Sequence, residues 1–424
     1  VQVLPKVPIH DEEDFAVWYT PGVAEPCRAI AKDPEMVYEE TGKGNRIAIV
    51  TDGSRILGLG DIGPLAGLPV MEGKAMLFKY LGGVDAVPIC LNVHTPDEII
   101  ETVERLVPAF GGINLEDISQ PKCFEILDRL RLVLDIPVWH DDQQGTATVA
   151  LAGLINSLRL VDKDIRKARI ALIGMGAANV ATYRLLTSFG ASPDNIVAVD
   201  SRGILHSGRE DVARHRDEFQ DKWRIATETN PTRRSGGIEE ALEDADVCIA
   251  FSRSAPDVIR PQWVRKMAPE SIVFACANPI PEITPDDAHA AGATIVGTGR
   301  SDFPNQVNNS LAFPGIFRGA LDVRATTITD DMAIAGAIAL AEATHELGLA
   351  VDRILPKMTD WEVVPKVAAA VGVEAVKLGL ARHELTEDQL HHNAYLRIAE
   401  ARSATEALME AGVIAEPEDT DPGE

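Results

Sequence analysis

Residues 168–190 read ARIALIGMGAANVATYRLLTSFG, and this stretch decides the fold. An apolar run meets a glycine-rich turn, and the turn opens an amphipathic pattern, so the sequence predicts a strand, a tight turn and a helix. Gly174 and Gly176 allow backbone N–H groups to approach a pyrophosphate closely, and the helix dipole favours the phosphate charge. A glycine turn that binds no ligand is the alternative interpretation. The predicted dinucleotide-binding residues are Gly174, Met175, Gly176, Ala177, Ala178 and Asn179.

The choice of dinucleotide depends on the end of this motif and on the next strand. Asn179 stands where the G-x-G-x-x-(G/A) pattern has its third small residue, which predicts looser packing of the helix on the strand. Asp200 ends the strand within 195–203, where an acid that binds the adenosine ribose belongs. Its charge favours NAD, whereas Ser201 and Arg202 follow at once, and an arginine there accepts the 2′-phosphate of NADP. The sequence therefore leaves both NAD and NADP open.

Apolar runs alternate with helical patterns along most of the chain. From 168 to 300 the alternation predicts a doubly wound, Rossmann-like sheet. Residues 45–142 alternate in the same way and predict a separate α/β layer, and the alanine-rich segment after 325 predicts helices that pack on the core. The predicted α/β fold has an N-terminal domain at 1–146, a Rossmann-like domain at 147–324, and C-terminal helices at 325–424 that end in an acidic tail at 415–424.

The composition is that of an acidic globular protein. Of the 424 residues, 46% are hydrophobic and 25% are charged, so disorder is not expected. The formal net charge of −25 disfavours nucleic acid and anionic membranes as partners. No apolar run is long enough to cross a membrane, and the first residues do not resemble a secretory signal. The basic residues are mostly arginine, and this acid-rich, lysine-poor balance suggests a saline cytoplasm, which a requirement for high salt would support.

The cysteines do not form a recognisable framework. Five are scattered without a CxxC spacing, which argues against disulfides or a zinc site and favours a cytoplasmic location. They are interpreted as small buried hydrophobic residues: Cys27, Cys90, Cys123, Cys248 and Cys276.

Two pairs of adjacent acids follow apolar runs. Glu116 and Asp117 follow AFGGINL, and Asp141 and Asp142 follow PVWH. Pairs at the ends of neighbouring strands can converge on one cation, and carboxylates without cysteine suit Mg²⁺ or Mn²⁺ better than zinc. Helix capping or plain surface exposure of these acids is the open alternative.

Two further residues stand in distinctive sequence contexts. Lys74 stands between a glycine and an apolar run, so a partly buried lysine with a lowered pKa could act as a base. Tyr19 precedes a Thr-Pro-Gly turn. Taken alone, each residue favours the plainer interpretation, which is a structural lysine and a packing tyrosine.

Seven stretches carry a family resemblance when they are taken together in this order. They are YTPGVAEPCRAI (19–30), TDGSRILGLGDIG (51–63), GKAMLF (73–78), INLEDIS (113–119), HDDQQGTA (140–147), ANPIPE (277–282) and NNSLAFPGIFRGAL (308–321). The chain resembles the malic enzyme family in its shorter bacterial and archaeal form, over roughly residues 15–345. The departure is Asn179, where relatives often carry glycine.

The resemblance implies a role for each candidate residue. Tyr19 is the expected general acid and Lys74 the expected general base, and Asp141 is expected to orient ligands or balance charge. The other implied roles are metal ligation by Glu116, Asp117 and Asp142, binding of a malate carboxylate by Arg55, positioning of substrate and nicotinamide ribose by Asn278 and Asn309, and proximity to the cofactor for Thr146.

The implied reaction is the oxidative decarboxylation of malate to pyruvate and CO₂, with reduction of NAD or NADP and a requirement for Mg²⁺ or Mn²⁺. The resemblance also implies a homodimer or homotetramer. Two alternatives are a metal-independent dehydrogenase of the amino-acid type and a dinucleotide-sensing protein without activity. The two acid pairs disfavour the first alternative, and the retained Tyr19, Lys74 and acids disfavour the second.

Overall fold

The computed structural model describes residues 4–415. The acidic tail predicted at 415–424 lies outside these residues from 416 onward. Within residues 4–415, none of the helices combines the length and the apolar character needed to span a bilayer.

Helices and strands alternate through two successive parallel sheets, and helices alone follow the second sheet. The strands are β1 (Arg46–Thr51), β2 (Asp85–Cys90), β3 (Gly112–Leu115), β4 (Val138–His140), β5 (Ile170–Ile173), β6 (Ile196–Asp200), β7 (Gly203–Ile204), β8 (Val247–Ala250), β9 (Ile272–Ala275) and β10 (Ile295–Thr298). The helices are α1 (Glu12–Trp18), α2 (Ala24–Lys32), α3 (Val37–Glu40), α4 (Gly63–Gly82), α5 (Pro96–Leu106), α6 (Lys122–Val133), α7 (Thr146–Leu160), α8 (Ala177–Phe189), α9 (Glu210–Arg214), α10 (Gln220–Glu228), α11 (Ile238–Leu242), α12 (Pro261–Val264), α13 (Pro285–Ala290), α14 (Phe313–Asp322), α15 (Asp330–Glu346), α16 (Val363–Lys377) and α17 (Glu387–Glu410).

The first sheet has four parallel strands in the order β2-β1-β3-β4. Its central strands are apolar on both faces because helices cover both of them. On one face, Ala48 and Val50 of β1 pack in a cluster with residues of α5 and α6. On the other face, Ile47 and Ile49 join a cluster that includes Phe78 of α4.

The second sheet has six strands in the order β10-β9-β8-β5-β6-β7, and all but β7 run parallel. Strand β5 lies between β6 and β8, so the connections leave it in opposite directions along the sheet. In sheets of this kind ligands bind outside the carboxyl end of the strand where the order reverses. Here the glycine-rich turn at 174–176 follows β5 at that point.

The three C-terminal helices belong to the same apolar core as the first sheet. Ala337 of α15, Val367 of α16 and Ile398 of α17 pack in the cluster that contains Ile47 and Phe78. The Asn156 side chain of α7 also donates hydrogen bonds of 3.0 Å to the carbonyl oxygens of Ala341 and Ile354. The predicted helices after 325 therefore cover the core and fasten α7, which connects the two sheets.

Candidate active site

Both acid pairs lie at the carboxyl edge of the first sheet. Strands β3 and β4 are parallel neighbours, and Leu115 pairs with His140 in the register. Because the acids follow these two residues directly, the loops after the two strands lie side by side. The Asp117 backbone N–H donates a 2.7 Å hydrogen bond to Asp142 Oδ2, which joins the two loops.

Lys74 reaches this edge from the buried face of α4. Its ammonium lies 3.1 Å from Glu116 Oε1, forms a second ion pair with Asp141, and lies 4.0 Å from the centroid of the Phe313 ring. Asp141 is completely buried and also accepts a 3.0 Å hydrogen bond from Trp139 Nε1. The structure thus holds the predicted base between two carboxylates.

The charge state of Lys74 differs from the sequence expectation. Burial alone would lower the pKa of Lys74, but Asp141 and Glu116 stabilise the ammonium and raise the pKa above its usual value. The lowered pKa was expected from partial burial, whereas the structure places two carboxylates against the amine. That expectation is therefore wrong for the protein as the structure describes it, and Lys74 is an ammonium paired with Asp141.

The remaining carboxylates carry more negative charge than Lys74 can neutralise. Burial raises the pKa of Glu116, with a smaller contribution from Asp142, and burial and Asp142 raise the pKa of Asp117 to about 8. The Oδ2 atom of Asp117 is buried and has no hydrogen-bond partner among residues 4–415. Clustered acids of this kind gain stability from a hard divalent cation, so the donor chemistry fits Mg²⁺ or Mn²⁺.

The carboxylate oxygens are not arranged as a metal shell in this structure. Within the described part of the chain, no three His, Cys, Asp or Glu side chains converge closely enough to hold an ion. Glu116 accounts for this, because its Oε1 faces Lys74 and its Oε2 accepts a 2.8 Å hydrogen bond from Asn114 Nδ2. Metal ligation by Glu116, Asp117 and Asp142 therefore stays a prediction and requires Glu116 to turn away from Lys74.

The loop that carries Arg55 is fastened beside the acids. The Arg55 backbone N–H donates to the Asp117 carbonyl at 3.0 Å, and Ser54 Oγ accepts from the Ser119 N–H at 2.9 Å. The Arg55 side chain is exposed, and its charge acts to lower the pKa of Asp117. A substrate carboxylate at this edge therefore meets an exposed guanidinium beside the acid cluster.

The second sheet brings the other predicted residues to the same side. Asn278 follows β9 and is exposed. Its backbone lies close to Gly58, because a Cβ added to that glycine would be 2.8 Å from the Asn278 carbonyl oxygen. Asn309 lies in the turn before α14 and close to Gly145. A Cβ added to that glycine would be 3.2 Å from the Asn309 Cβ. Thr146 begins α7 next to that glycine. The structure therefore gathers these residues around the loops of the first sheet.

Tyr19 is not among the residues that lie around these loops. It caps the C-terminal end of α1 and its side chain is 73% exposed. Within residues 4–415 its hydroxyl makes no hydrogen bond to Lys74 or to the acids. The site that one chain builds thus contains the predicted base but lacks the predicted acid.

The glycine-rich turn has the geometry of a phosphate cradle. Gly174 has φ +91°, and a Cβ there would lie 2.6 Å from the Phe251 carbonyl oxygen, so only glycine fits. Gly176 caps α8 without a side-chain hydrogen bond, and a Cβ there would meet open space. Within residues 4–415 no side chain caps the first N–H groups of α8, so they suit an anion such as a pyrophosphate.

Asn179 tightens this turn instead of loosening it. Its Nδ2 donates hydrogen bonds of 2.9 Å to the Ile173 carbonyl and 2.8 Å to the Gly174 carbonyl, and the side chain is completely buried. The predicted loss of packing is therefore wrong, because the amide supplies contacts that a small residue lacks.

Two family descriptions match successive parts of the chain. "Malic enzyme, N-terminal domain" matches residues 1–131, and "Malic enzyme, NAD binding domain" matches residues 143–377. The chain belongs to the malic enzyme family.

Named relatives and solved structures agree with this assignment. The chain is 49% identical over 381 residues to the bifunctional malic/malolactic enzyme of Bacillus subtilis, across 89% of this chain and 90% of the relative. It is 44% identical over 390 residues to the NADP-dependent malic enzyme of Halomonas elongata, across 88% and 90%. The crystal structure of Entamoeba histolytica malic enzyme matches with a TM-score of 0.96 and 48% identity, across 99% of this chain and 87% of that one. The predicted family resemblance and α/β fold class are confirmed.

For a malic enzyme, the structure adds residues that the sequence did not single out. Glu282 is completely buried and accepts hydrogen bonds from Ser252 N–H at 2.7 Å, Ser252 Oγ at 2.9 Å and Ala277 N–H at 3.0 Å. It thereby joins the ends of β8 and β9 beside Asn278. Glu282 lies in the quoted stretch ANPIPE, but only the structure shows what its carboxylate holds.

The pairing of Asp200 was also not visible in the sequence. Its carboxylate contacts Arg209 and Lys222, which lie 9 and 22 residues further along the chain. No local pattern links these positions, because Arg209 lies in the loop before α9 and Lys222 lies on α10, and only the fold brings both to Asp200.

Proposed function

We propose that this protein oxidatively decarboxylates malate to pyruvate and CO₂ while reducing NAD or NADP. The observation that best supports this proposal is the burial of Lys74 against Asp141 and Glu116. These residues lie at the sheet edge that faces the glycine-rich turn of the second sheet. Family membership supplies the substrate class, and a single buried lysine at that edge supplies a group for proton transfer at the malate hydroxyl.

The proton and the hydride take separate routes. Lys74 would accept the proton of the malate C2 hydroxyl, and the bound dinucleotide would supply the acceptor for the hydride of C2. The 2-keto acid then loses its distal carboxylate as CO₂, and a proton is returned to C3 to give pyruvate. Lys74 must be neutral to accept a proton, so its present proton has to pass to a neighbouring base, and Asp141 and Glu116 are the carboxylates in contact with it.

The acids Glu116, Asp117 and Asp142 would hold the divalent cation. Such an ion supplies Lewis-acid stabilisation of the oxygen that becomes negative during decarboxylation. Glu116, once engaged as a ligand, no longer stabilises the Lys74 ammonium, so the pKa of Lys74 would fall towards the value that a base requires. Arg55 would bind a malate carboxylate, and Asn278, Asn309 and Thr146 would align the substrate and the nicotinamide.

A second copy of the chain would supply the general acid. None of the residues of α1 and α2 is buried, and α1 exposes Phe15, Val17 and Trp18 beside Tyr19. Contiguous exposed apolar side chains mark an interface, and a two-fold pair places each N-terminal segment against the other chain. We therefore propose a homodimer, on its own or as half of a homotetramer, in which Tyr19 protonates C3 in the partner's site.

The location that fits this chemistry is the cytoplasm. All five cysteines are free thiols, which suits a reducing compartment.

The test is a turnover assay with malate and NAD or NADP. We expect reduction of the dinucleotide and release of pyruvate with Mn²⁺ present, loss of both after EDTA, and recovery on addition of Mn²⁺. Activity that survives EDTA would favour the metal-independent dehydrogenase, and binding of dinucleotide without any turnover would favour the sensing protein.

A further inference from the structure

Glu282 joins the loops that follow two neighbouring strands of the second sheet. Strands β8 and β9 are parallel, and Ala250 pairs with Ala275 at their ends, so both loops leave the same edge. Glu282 Oε1 accepts from the N–H and the Oγ of Ser252 in the first loop. Its Oε2 accepts from the N–H of Ala277 in the second loop at 3.0 Å. One carboxylate therefore sets the distance between the two loops.

The carboxylate depends on these bonds for its own stability. Glu282 is completely buried, and its three hydrogen bonds come from two backbone N–H groups and a hydroxyl, none of which is a cation. Its backbone is fixed as well, because its carbonyl accepts from the Ile259 N–H at 2.9 Å. A buried carboxylate costs free energy unless its acceptors are filled, so the two loops are held in the arrangement that fills them.

The first loop lies against the glycine-rich turn. The Phe251 N–H donates to the Ile173 carbonyl at 3.0 Å, at the end of β5. A Cβ added to Gly174 would be 3.0 Å from the Ser252 Cα. The Ser252 end of the Glu282 link is thereby anchored beside the turn that is proposed to take the pyrophosphate.

The second loop reaches the first sheet. A Cβ added to Gly58 would be 2.8 Å from the Asn278 carbonyl oxygen, and Gly58 belongs to the loop that carries Arg55. A Cβ added to Gly299 would be 2.6 Å from Asn278 Nδ2, so the amide lies over the loop after β10. Asn278 therefore stands between the proposed cofactor loops and the proposed malate loop, directly after the Ala277 N–H that Glu282 holds.

We propose that Glu282 is a positioning residue that aligns the nicotinamide end of the dinucleotide with malate. The glycine-rich turn fixes the pyrophosphate, Asn278 receives the nicotinamide ribose, and Glu282 sets the spacing between the two. Glu282 itself touches neither malate nor the dinucleotide. This inference rests on the proposed function and deepens it by naming the side chain that holds the two reactants in register for hydride transfer.

Glu282→Gln tests the link because it keeps the shape of the side chain and removes one acceptor. With its carbonyl oxygen on Ser252, the glutamine turns an NH₂ group towards the Ala277 N–H, and two donors then face each other. We expect the Asn278 loop to be released while the Ser252 loop keeps its place.

Calorimetry without malate or metal compares NADH with ADP-ribose, which lacks the nicotinamide. The wild type should bind NADH more tightly than ADP-ribose. In Glu282→Gln the NADH affinity should fall about tenfold or more, because the link lost is a hydrogen bond to a charged group. The affinity for ADP-ribose should stay near that of the wild type, since the turn and Ser252 are unchanged.

Turnover supplies a second measurement. In Glu282→Gln, kcat should fall about tenfold or more while KM for malate stays near the wild-type value, because misplacement of the reactants slows the hydride step. Ser252→Ala removes one of the three bonds and leaves the backbone intact. It should weaken NADH binding in the same direction by a smaller factor, and it decides the question if Glu282→Gln does not fold.

Asp246→Asn is the matched control. Asp246 precedes β8 at the opposite edge of the same sheet, and its carboxylate also holds a loop by a backbone N–H, that of Arg169, at 2.8 Å. The substitution should lower stability and leave the ratio of the NADH and ADP-ribose affinities unchanged. A loss of stability alone is thereby separated from a loss of positioning.

Three results would overturn the role of Glu282. They are equal affinity of the wild type for NADH and ADP-ribose, an equal loss of both affinities in Glu282→Gln, and a normal kcat in that variant. A wild type that binds NADH but does not turn over malate would count against the proposed function, and the two affinities would still decide for or against Glu282.

Discussion

Lys74 is the residue at which the proposed proton transfer and folding compete. Its ammonium neutralises part of a buried acid cluster, so removing it leaves Asp141 and Glu116 without their cation. Breaking a buried ion pair from one side costs about 3–5 kcal/mol. The same residue therefore contributes to stability before any substrate binds, and the effect of a substitution has to be divided between the two roles.

Lys74→Ala should lower malate turnover by about 10²- to 10⁴-fold, the usual contribution of a general base. Dinucleotide affinity should stay near that of the wild type, because the glycine-rich turn lies on the other sheet. Steady-state kinetics and nicotinamide fluorescence measure the two quantities on the same sample. Lys79→Ala is the matched control, since Lys79 lies on the same helix and pairs with the exposed Asp85. Near-normal turnover in Lys74→Ala would refute the base assignment.

At the scale of elements, the pattern of apolar residues in the sequence predicted most of the strands. It did not predict the helix that carries Lys74. The apolar runs at 45–54 and 271–279 contain β1 and β9, because buried parallel strands read as continuous apolar stretches. Helix α4 contains four glycines and two prolines, which weaken any helical pattern, and tertiary packing alone decides it. The contacts of Lys74 and Lys222 lie beyond sequence prediction for the same reason, since each joins elements far apart in the chain.

The turn between β4 and α7 is a π-helical turn at Asp141–Gly145, and it aims Asp141 inward. A Cβ at Gly145 would lie 1.9 Å from Asp141 Oδ1, an oxygen that Trp139 already holds. Gly145→Ala should displace this carboxylate from Lys74 and reduce kcat by about tenfold or more, since small misplacements at a site are costly. Gly73→Ala is the control, because a Cβ there meets nothing within 4 Å. An unchanged kcat in Gly145→Ala would show that Asp141 does not position Lys74.

The start of β5 depends on Asp246 in a pH-dependent way. Its carboxylate accepts from the Arg169 N–H at 2.8 Å and from Lys163 at 2.9 Å. Burial opposes the shift, but these bonds hold the pKa of Asp246 below its usual value. A lowered pKa contributes stability above the unfolded value of about 3.9, and this contribution is lost as the pH falls below it.

Asp246→Asn should therefore lower the free energy of unfolding at pH 7 by about 1–3 kcal/mol, the range for hydrogen bonds to a charged group. The difference from wild type should shrink below about pH 4, where the carboxylate takes up a proton first in the unfolded wild-type chain and at lower pH in the folded one. Urea titrations at both pH values measure this. Asp244→Asn is the neighbouring control, because Asp244 is 75% exposed and lies 3.8 Å from Arg169. A difference that is constant with pH would contradict the ionic origin.

At the scale of the whole molecule, one chain places the proposed base and the proposed acid apart. The carboxyl edges of the two sheets supply Lys74, the acids, Asn278 and the glycine-rich turn, while Tyr19 stands on an exposed helix end. The exposed position of Tyr19 and its separation from Lys74 are both explained by a dimer in which the N-terminal segment of each chain lies over the carboxyl sheet edge of its partner. The exposed apolar side chains of the loop before α4, Leu57, Leu59 and Ile62, lie on the same domain as the acids and suit such a contact.

Complementation between two inactive variants tests this assembly. Tyr19→Phe and Lys74→Ala should each have little activity, but a mixed dimer pairs an intact Tyr19 from one chain with an intact Lys74 from the other. Random mixing of subunits should therefore restore about a quarter of wild-type activity, since half of the dimers are mixed and each has one intact site of two. Co-expression with two different tags isolates the mixed dimer, and the double variant mixed with wild type serves as the control for subunit exchange. If Tyr19 acts within its own chain, the mixed dimer has no intact site and its activity should equal the mean of the two parents.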